Sequence, residues 1–175
     1  MRELVDYAWK LALICALAAL LLAGVNLLTK DKILLQAQEE EFNSVKEVLP
    51  RGERFEAVKE GDKVLYYKVY NKDEEFLGVA FKASAKGYSS IIEVIVGMYS
   101  DGRIAGIKIL SQSETPGLGS RVASSEYLDQ FLNKDVHGLE EVETITGATI
   151  SSKAVLDAVK KRAQEIYNLM RKNGQ

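Results

Sequence analysis

The sequence predicts an α+β protein: an antiparallel sheet with helices, placed behind an N-terminal membrane helix. Three observations carry this. Leu11–Leu28 is uncharged and apolar, with Asn26 its one amide. Residues 64–110 hold four strand-like segments joined by polar turns. Ser151–Arg171 repeats apolar residues at helical spacing. The whole-chain composition hides this division, because 175 residues with 47% hydrophobic content and a formal net charge of -2 resemble one ordinary domain.

The apolar block comes first. As a helix it rises about 27 Å, close to the roughly 30 Å hydrocarbon thickness of a bilayer. Tyr7 and Trp9 precede it, where amphipathic rings favour the headgroup level. A soluble core helix would carry a polar stripe, and this stretch has none. A cleaved signal peptide would have a shorter apolar region, and no clear Ala-x-Ala site follows before Asn26. Leu13-Ile14 ahead of Cys15 lack the small residue of a lipoprotein site. An uncleaved single-pass anchor is therefore expected over residues 1–28. Arg2 and Lys10 before the block balance Lys30 and Lys32 after it, so only the free amino terminus tips the orientation toward N-inside.

Thr29–Leu49 continues with Ile33, Leu34, Ala37, Phe42, Val45 and Val48 among Glu39, Glu40 and Glu41, which predicts a stalk helix ending at Pro50. Arg51–Lys63 is charged, contains Gly52 and Gly61, and reads as a loop with at most short structure. The extracytoplasmic domain is expected over 50–175. Val64–Tyr70 and Phe76–Ser84 flank the polar turn Asn71–Glu75 as one hairpin. Ile91–Tyr99 and Arg103–Leu110 flank Ser100-Asp101-Gly102, and Asp-Gly is a strong hairpin signal. Gly78, Gly97 and Gly106 inside these strands mark bulges or close backbone approach. Ser124–Leu132 reads as a short helix capped by Ser124 or Ser125, and Ser151–Arg171 as a long amphipathic one.

Charge and cysteine content remove whole classes of function. Twenty-three basic against 25 acidic residues lack the excess that a nucleic-acid binder needs. One Cys and one His exclude a disulfide framework and argue against a zinc cluster, and Cys15 reads as a small hydrophobe. No Gly-x-Gly-x-x-Gly strand–helix unit is present for NAD, and no intramembrane charge offers an ion path.

Two stretches exceed what a scaffold needs. Glu143–Ser152 (ETITGATISS) gathers hydroxyls and unpaired amides at a helix start, where dipole and donors both favour an anion such as phosphate. Gly147 and Ala148 leave Thr149 sterically open. The same residues also fit an ordinary helix start capped by Thr149, Ser151 or Ser152. Ser113–Gly119 (SETPGLG) makes a fixed turn whose backbone can lie close to a flat ligand, with Glu114 as acceptor and Thr115 as hydroxyl. A tight loop leaving the preceding strand fits it as well.

Taken in order, Glu114-Thr115-Pro116-Gly117-Leu118-Gly119 and Thr146-Gly147-Ala148-Thr149 resemble the FMN-binding domain of ion-pumping membrane redox complexes. Within that family the chain looks like the G subunit of the Rnf ferredoxin:NAD oxidoreductase. The resemblance also takes in the anchor, the hairpins, Gly87-Tyr88 before a strand, and the final helix. It implies FMN joined by a phosphodiester to Thr149, attached by a flavin transferase after translocation. The transferase pattern generally opens with Asp where this chain has Glu143, which keeps the charge and adds one methylene of reach. On that reading Glu114, Thr115 and the Gly117–Leu118–Gly119 backbone are expected to border the ring. Thr146, Gly147 and Ala148 complete the attachment element, while Ser151, Ser152 and Lys153 surround the phosphate; Lys153 reads equally as a solvated helix residue. The sequence does not say whether Tyr88 or Tyr127 stacks on the ring; each reads first as an ordinary packing residue.

The expected role is an electron-carrier subunit in the inner (cytoplasmic) membrane, with its C-terminal domain outside the cytoplasm and no catalytic residue or metal of its own. Its expected partners are the other subunits of the redox complex, the flavin transferase and membrane lipid, and not nucleic acid. The C subunit of the sodium-pumping NADH:quinone reductase shares the domain but is usually longer. A membrane-bound flavin sensor or assembly subunit is the non-enzymatic alternative, and a cofactor-free scaffold a third.

Overall fold

A computed structural model of the chain describes residues 2–61 and 63–173. The chain divides into two units, Met1–Phe42 and Asn43–Gln175. The first is helical throughout its described residues, as part of α1 (Arg2–Val48). Tyr7–Lys30 has a mean hydropathy of 2.6 and none of it is buried, so this helix is long and apolar enough to cross a membrane. Cys15 lies on that exposed surface. The Leu34, Ala37 and Glu41 side chains of the expected stalk pattern lie outside the described residues.

The second unit is built on a five-stranded antiparallel sheet in which each strand pairs with its sequence neighbour. The strands are β1 (Arg54–Glu60), β2 (Lys63–Tyr70), β3 (Phe76–Lys86), β4 (Ile91–Tyr99) and β5 (Ile104–Ser111). Four were expected. β1 falls in the stretch read as a loop, which the structure corrects. Its seven residues present Phe55 and Val58 to the domain and mostly charge to water, so composition alone resembles a loop. Pairing with β2 supplies what the composition lacks: Glu56 lies opposite Lys68 in the register, and the Arg54 guanidinium lies 4.3 Å over the Tyr70 ring.

Both hairpin turns form as the sequence predicts. The Asn71 side chain accepts from the amides of Asp73 and Glu75, at 2.9 and 2.8 Å. At Asp101-Gly102 the Arg103 amide donates to Asp101, and Gly102 takes φ +90°.

Alternation along the strands separates two apolar faces. On one, Val79, Phe81, Val94, Val96 and Met98 pack with Val155, Val159, Ala163 and Ile166 of α3 (Thr149–Asn173). Arg162 also donates to the Leu65 carbonyl of β2 at 2.9 Å. On the other face, Val45, Val48 and Leu49 cover Val69, Ala80 and Ile95. Lys108 of β5 pairs with Glu47 beside them. The helix stops at Val48, since the residue before Pro50 is disfavoured in helical conformation.

Ser124–Leu132 is not one helix. It is a single turn, α2 (Ser125–Leu128), followed by a 3₁₀ turn at Asp129–Phe131. Tyr127 and Phe131 both enter the core and meet edge to face at 5.4 Å. Ser124 occupies the cap position, but its side chain makes no capping hydrogen bond. α3 starts at Thr149, two residues ahead of the expected Ser151, which makes Thr149 the first helical residue.

Candidate functional site

The TGAT element is a turn that delivers the chain into α3. The Ala148 amide donates to the Ile145 carbonyl at 2.9 Å, and Gly147 takes φ +81°, a conformation costly for other residues. A Cβ at Gly147 would meet only Leu118 Cδ2, at 3.7 Å, so the backbone angle and not space requires glycine there. Ser152 fixes the turn from inside: its hydroxyl accepts from the Ile145 amide at 3.0 Å and donates to the Ala148 carbonyl at 2.9 Å. The Tyr127 hydroxyl then donates to the Ser152 carbonyl at 2.6 Å, and burial pushes that phenol well above its ordinary pKa. Ala148 is buried beneath the turn, while Thr149 is exposed. The first bond into the helix is Ser152 N–H to Ala148 O, so the amides of Thr149, Ile150 and Ser151 precede the intrahelical ladder.

The ETPGLG turn faces this element. Leu118 and Ser120 amides both donate to the Thr115 carbonyl, and Gly117 takes φ +76°. Glu114 is 5% exposed, and both of its carboxylate oxygens are engaged. They accept from the amides of Tyr88, Ser89 and Ser90, from the Ser90 hydroxyl, and from the Ser151 hydroxyl, at 2.6–3.2 Å. Burial alone would raise the Glu114 pKa; the Ser151 and Ser90 hydroxyls and the Ser90 and Ser89 amides outweigh it and hold it down at about 2. Glycine makes room for this carboxylate. A Cβ at Gly87 would sit 2.6 Å from Glu114 Oε1, and one at Gly119 would sit 2.7 Å from Oε2. Arg121 closes the arrangement by donating to the Thr146 carbonyl at 3.4 Å.

Between the two turns lies a cleft of about 430 Å³, within the usual range of small-molecule sites. Of the residues singled out in the sequence, Glu114, Thr115, Leu118, Gly119, Gly147, Ala148, Thr149 and Ser151 line it. Gly117, Thr146, Ser152 and Lys153 do not. Gly117 shapes its own turn, Ser152 is enclosed by the backbone it supports, and Thr146 and Lys153 are exposed. Tyr88 and Ile150 complete the lining, at 70% and 59% exposure. Reading Tyr88 as a packing residue is thereby corrected, whereas Tyr127 is core. Ile150 carried a signal, since it is apolar yet off the face that buries Val155, Val159 and Ile166.

The chain thus joins an apolar helix long enough to cross a membrane with a second unit that carries a small-molecule cleft. Residues 87–164 match the FMN-binding domain family, and residues 2–48 match the RnfG N-terminal region. The G subunit of the ion-translocating oxidoreductase complex of Methanosarcina acetivorans is 31% identical over 90% of this chain and 92% of its own. The G subunit of the Na(+)-translocating ferredoxin:NAD(+) oxidoreductase complex of Acetobacterium woodii is 34% identical, over 96% and 98%. NqrC of Shewanella oneidensis has the same fold, with a TM-score of 0.53 at 22% identity over 61% of this chain and 60% of that one. The chain belongs to the G-subunit family of ion-translocating oxidoreductase complexes.

Proposed function

We propose that the chain is the electron-carrier subunit of an Rnf-type ion-translocating membrane complex, working through one FMN joined by a phosphodiester to Thr149. The observation that carries the covalent reading is the placement of Thr149. Its side chain is exposed at the first residue of α3, lining a cleft of about 430 Å³, behind a glycine held at φ +81°. The residues present fit the cofactor. Orphan amides at the helix start suit the phosphate, and Tyr88, Leu118 and Ile150 offer apolar surface to the ring. When bound, FMN supplies the redox chemistry, and the chain sets its position and surroundings.

The attachment needs outside help. A threonine hydroxyl is a weak nucleophile without an adjacent base. Glu114 is the one carboxylate lining the cleft, and its oxygens are already engaged by five donors. A flavin transferase therefore supplies the activation, reading the segment that opens at Glu143. A covalent link also keeps the flavin from being lost by dilution outside the cytoplasm. That fits a domain carried on the far side of the inner (cytoplasmic) membrane by Tyr7–Lys30.

Co-expression with a flavin transferase, followed by denaturation in SDS, tests the proposal. Flavin fluorescence should stay on the protein band, and the peptide spanning Thr149 should gain one FMN less one water. Thr149→Ala should lose both signals. A flavin-free wild-type band despite active transferase overturns the covalent reading. Co-purification with several integral redox subunits is expected of a carrier and not of a sensor. A reporter fused after Gln175 should be active only outside the cytoplasm.

A further inference from the structure

Tyr88 has the largest exposure among the large hydrophobic side chains described in Asn43–Gln175, at 70%. Its backbone, by contrast, is firmly held. The Gly87 amide donates to the Ser90 carbonyl at 2.8 Å, and the next three amides all donate to the buried Glu114 carboxylate. The turn is thus ordered with no help from the Tyr88 ring. Leu118, at 51% exposure, and Ile150, at 59%, enter the same cleft from two other segments. Three apolar side chains from separate elements, left in water around one cleft, are the pattern of a surface awaiting a ligand. Between them the lining is Gly119, Gly147 and Ala148, which adds little bulk.

We infer that Tyr88 is an aromatic face for the isoalloxazine of the tethered flavin, and that Glu114 is the positioning residue that presents it. This rests on the flavin reading above and adds a contact that neither motif contains. The benefit of the arrangement is pre-organisation: the backbone entropy of the turn is lost when the chain folds and not when the ring docks. A phenol against a flavin ring also quenches its emission and changes its reduction potential.

The full-length chain, matured with the transferase, gives the test. Covalent flavin is first measured on the denatured band, and native emission is then compared with emission after SDS. Wild-type emission should rise several-fold on denaturation. Tyr88→Leu, at a surface position that leaves the fold intact, should emit in the native state near the denatured level and shift the flavin midpoint potential. Tyr88→Trp should stay quenched. Glu114→Gln should resemble Tyr88→Leu in emission although Tyr88 is retained, and Glu114→Asp should restore part of the quenching. Equal native emission from wild type and Tyr88→Leu, at equal flavin content, overturns the Tyr88 assignment alone. A wild-type band without flavin overturns the cofactor reading and this inference with it.

Discussion

The Ser151 hydroxyl donates to Glu114 Oε2 at 2.6 Å across 37 residues of sequence, joining the first turn of α3 to the loop after β5. The same carboxylate receives the amides of the β3–β4 turn. One ionised group therefore holds together three segments that border the cleft. Charge-assisted bonds of this kind are stronger than neutral ones, and the group could not be buried without them.

Stability should depend on the charge of Glu114. Its folded-state pKa of about 2 lies below the ordinary 4.5. Its contribution is therefore fully present above the ordinary value and is lost as pH falls through the folded one. Urea unfolding of the detergent-solubilised chain across that range should show this slope. Glu114→Gln should flatten it and lower stability at neutral pH by about 2–3 kcal/mol, because an amide donor would face amide donors.

A second prediction concerns Gly97 and Gly106, which face each other across β4 and β5. A Cβ at either would approach the Val48 carbonyl oxygen, to 2.5 and 2.6 Å. The paired glycines make a notch in the sheet that admits the end of α1. Backbone cannot yield as a flexible side chain does, so Gly97→Val or Gly106→Val should cost about 1–3 kcal/mol or more. Limited proteolysis should find new cleavage around residues 43–49. Gly24→Ala, with nothing within 4 Å of its Cβ, should leave the digest unchanged.

Much of this fold was legible because its signals are local. An Asp-Gly pair between alternating apolar residues specifies a hairpin within a few positions, and an amphipathic period marks α3. Gly97 and Gly106 could be read as close approach, although Val48 as the approaching group could not. β1 was hidden because its pairing is with β2, where Tyr70 meets both Arg54 and Glu56, and is not written in its own pattern. Glu114 was recognisable in its motif, but its five donors come from residues 24–37 positions away. Tyr88 was hidden for the same reason, since burial or exposure of one aromatic depends on what the chain brings over it.

Ser152 and Lys153 are neighbours that should behave oppositely. Ser152 is fully buried, and its hydroxyl both accepts from Ile145 and donates to Ala148. Ser152→Ala leaves a half-buried amide unpaired, at a cost of about 1–3 kcal/mol. It should therefore lower flavin loading by loosening the turn that presents Thr149. Lys153 is exposed and does not line the cleft, so Lys153→Met should load normally. Flavin content per chain, read on denatured bands alongside thermal melts, separates the two. Reduced loading in Lys153→Met with an unchanged melt would instead place its ammonium at the phosphate.

The apolar helix should be needed for maturation as well as for attachment to the membrane. Leu17 and Leu21 lie within Tyr7–Lys30 and are 58% and 65% exposed, so neither is packed inside the protein. Arginine at the centre of a spanning helix costs about 2.5–3.5 kcal/mol in insertion. Leu17→Arg combined with Leu21→Arg should therefore shift the chain out of the membrane fraction while leaving the separate Asn43–Gln175 unit able to fold. If the transferase meets its substrate only beyond the membrane, the retained chain should also lack flavin. Normal loading of a chain recovered from the soluble cytoplasmic fraction would show that attachment does not require translocation. Normal loading together with normal membrane retention would instead show that the helix tolerates charge and does not span.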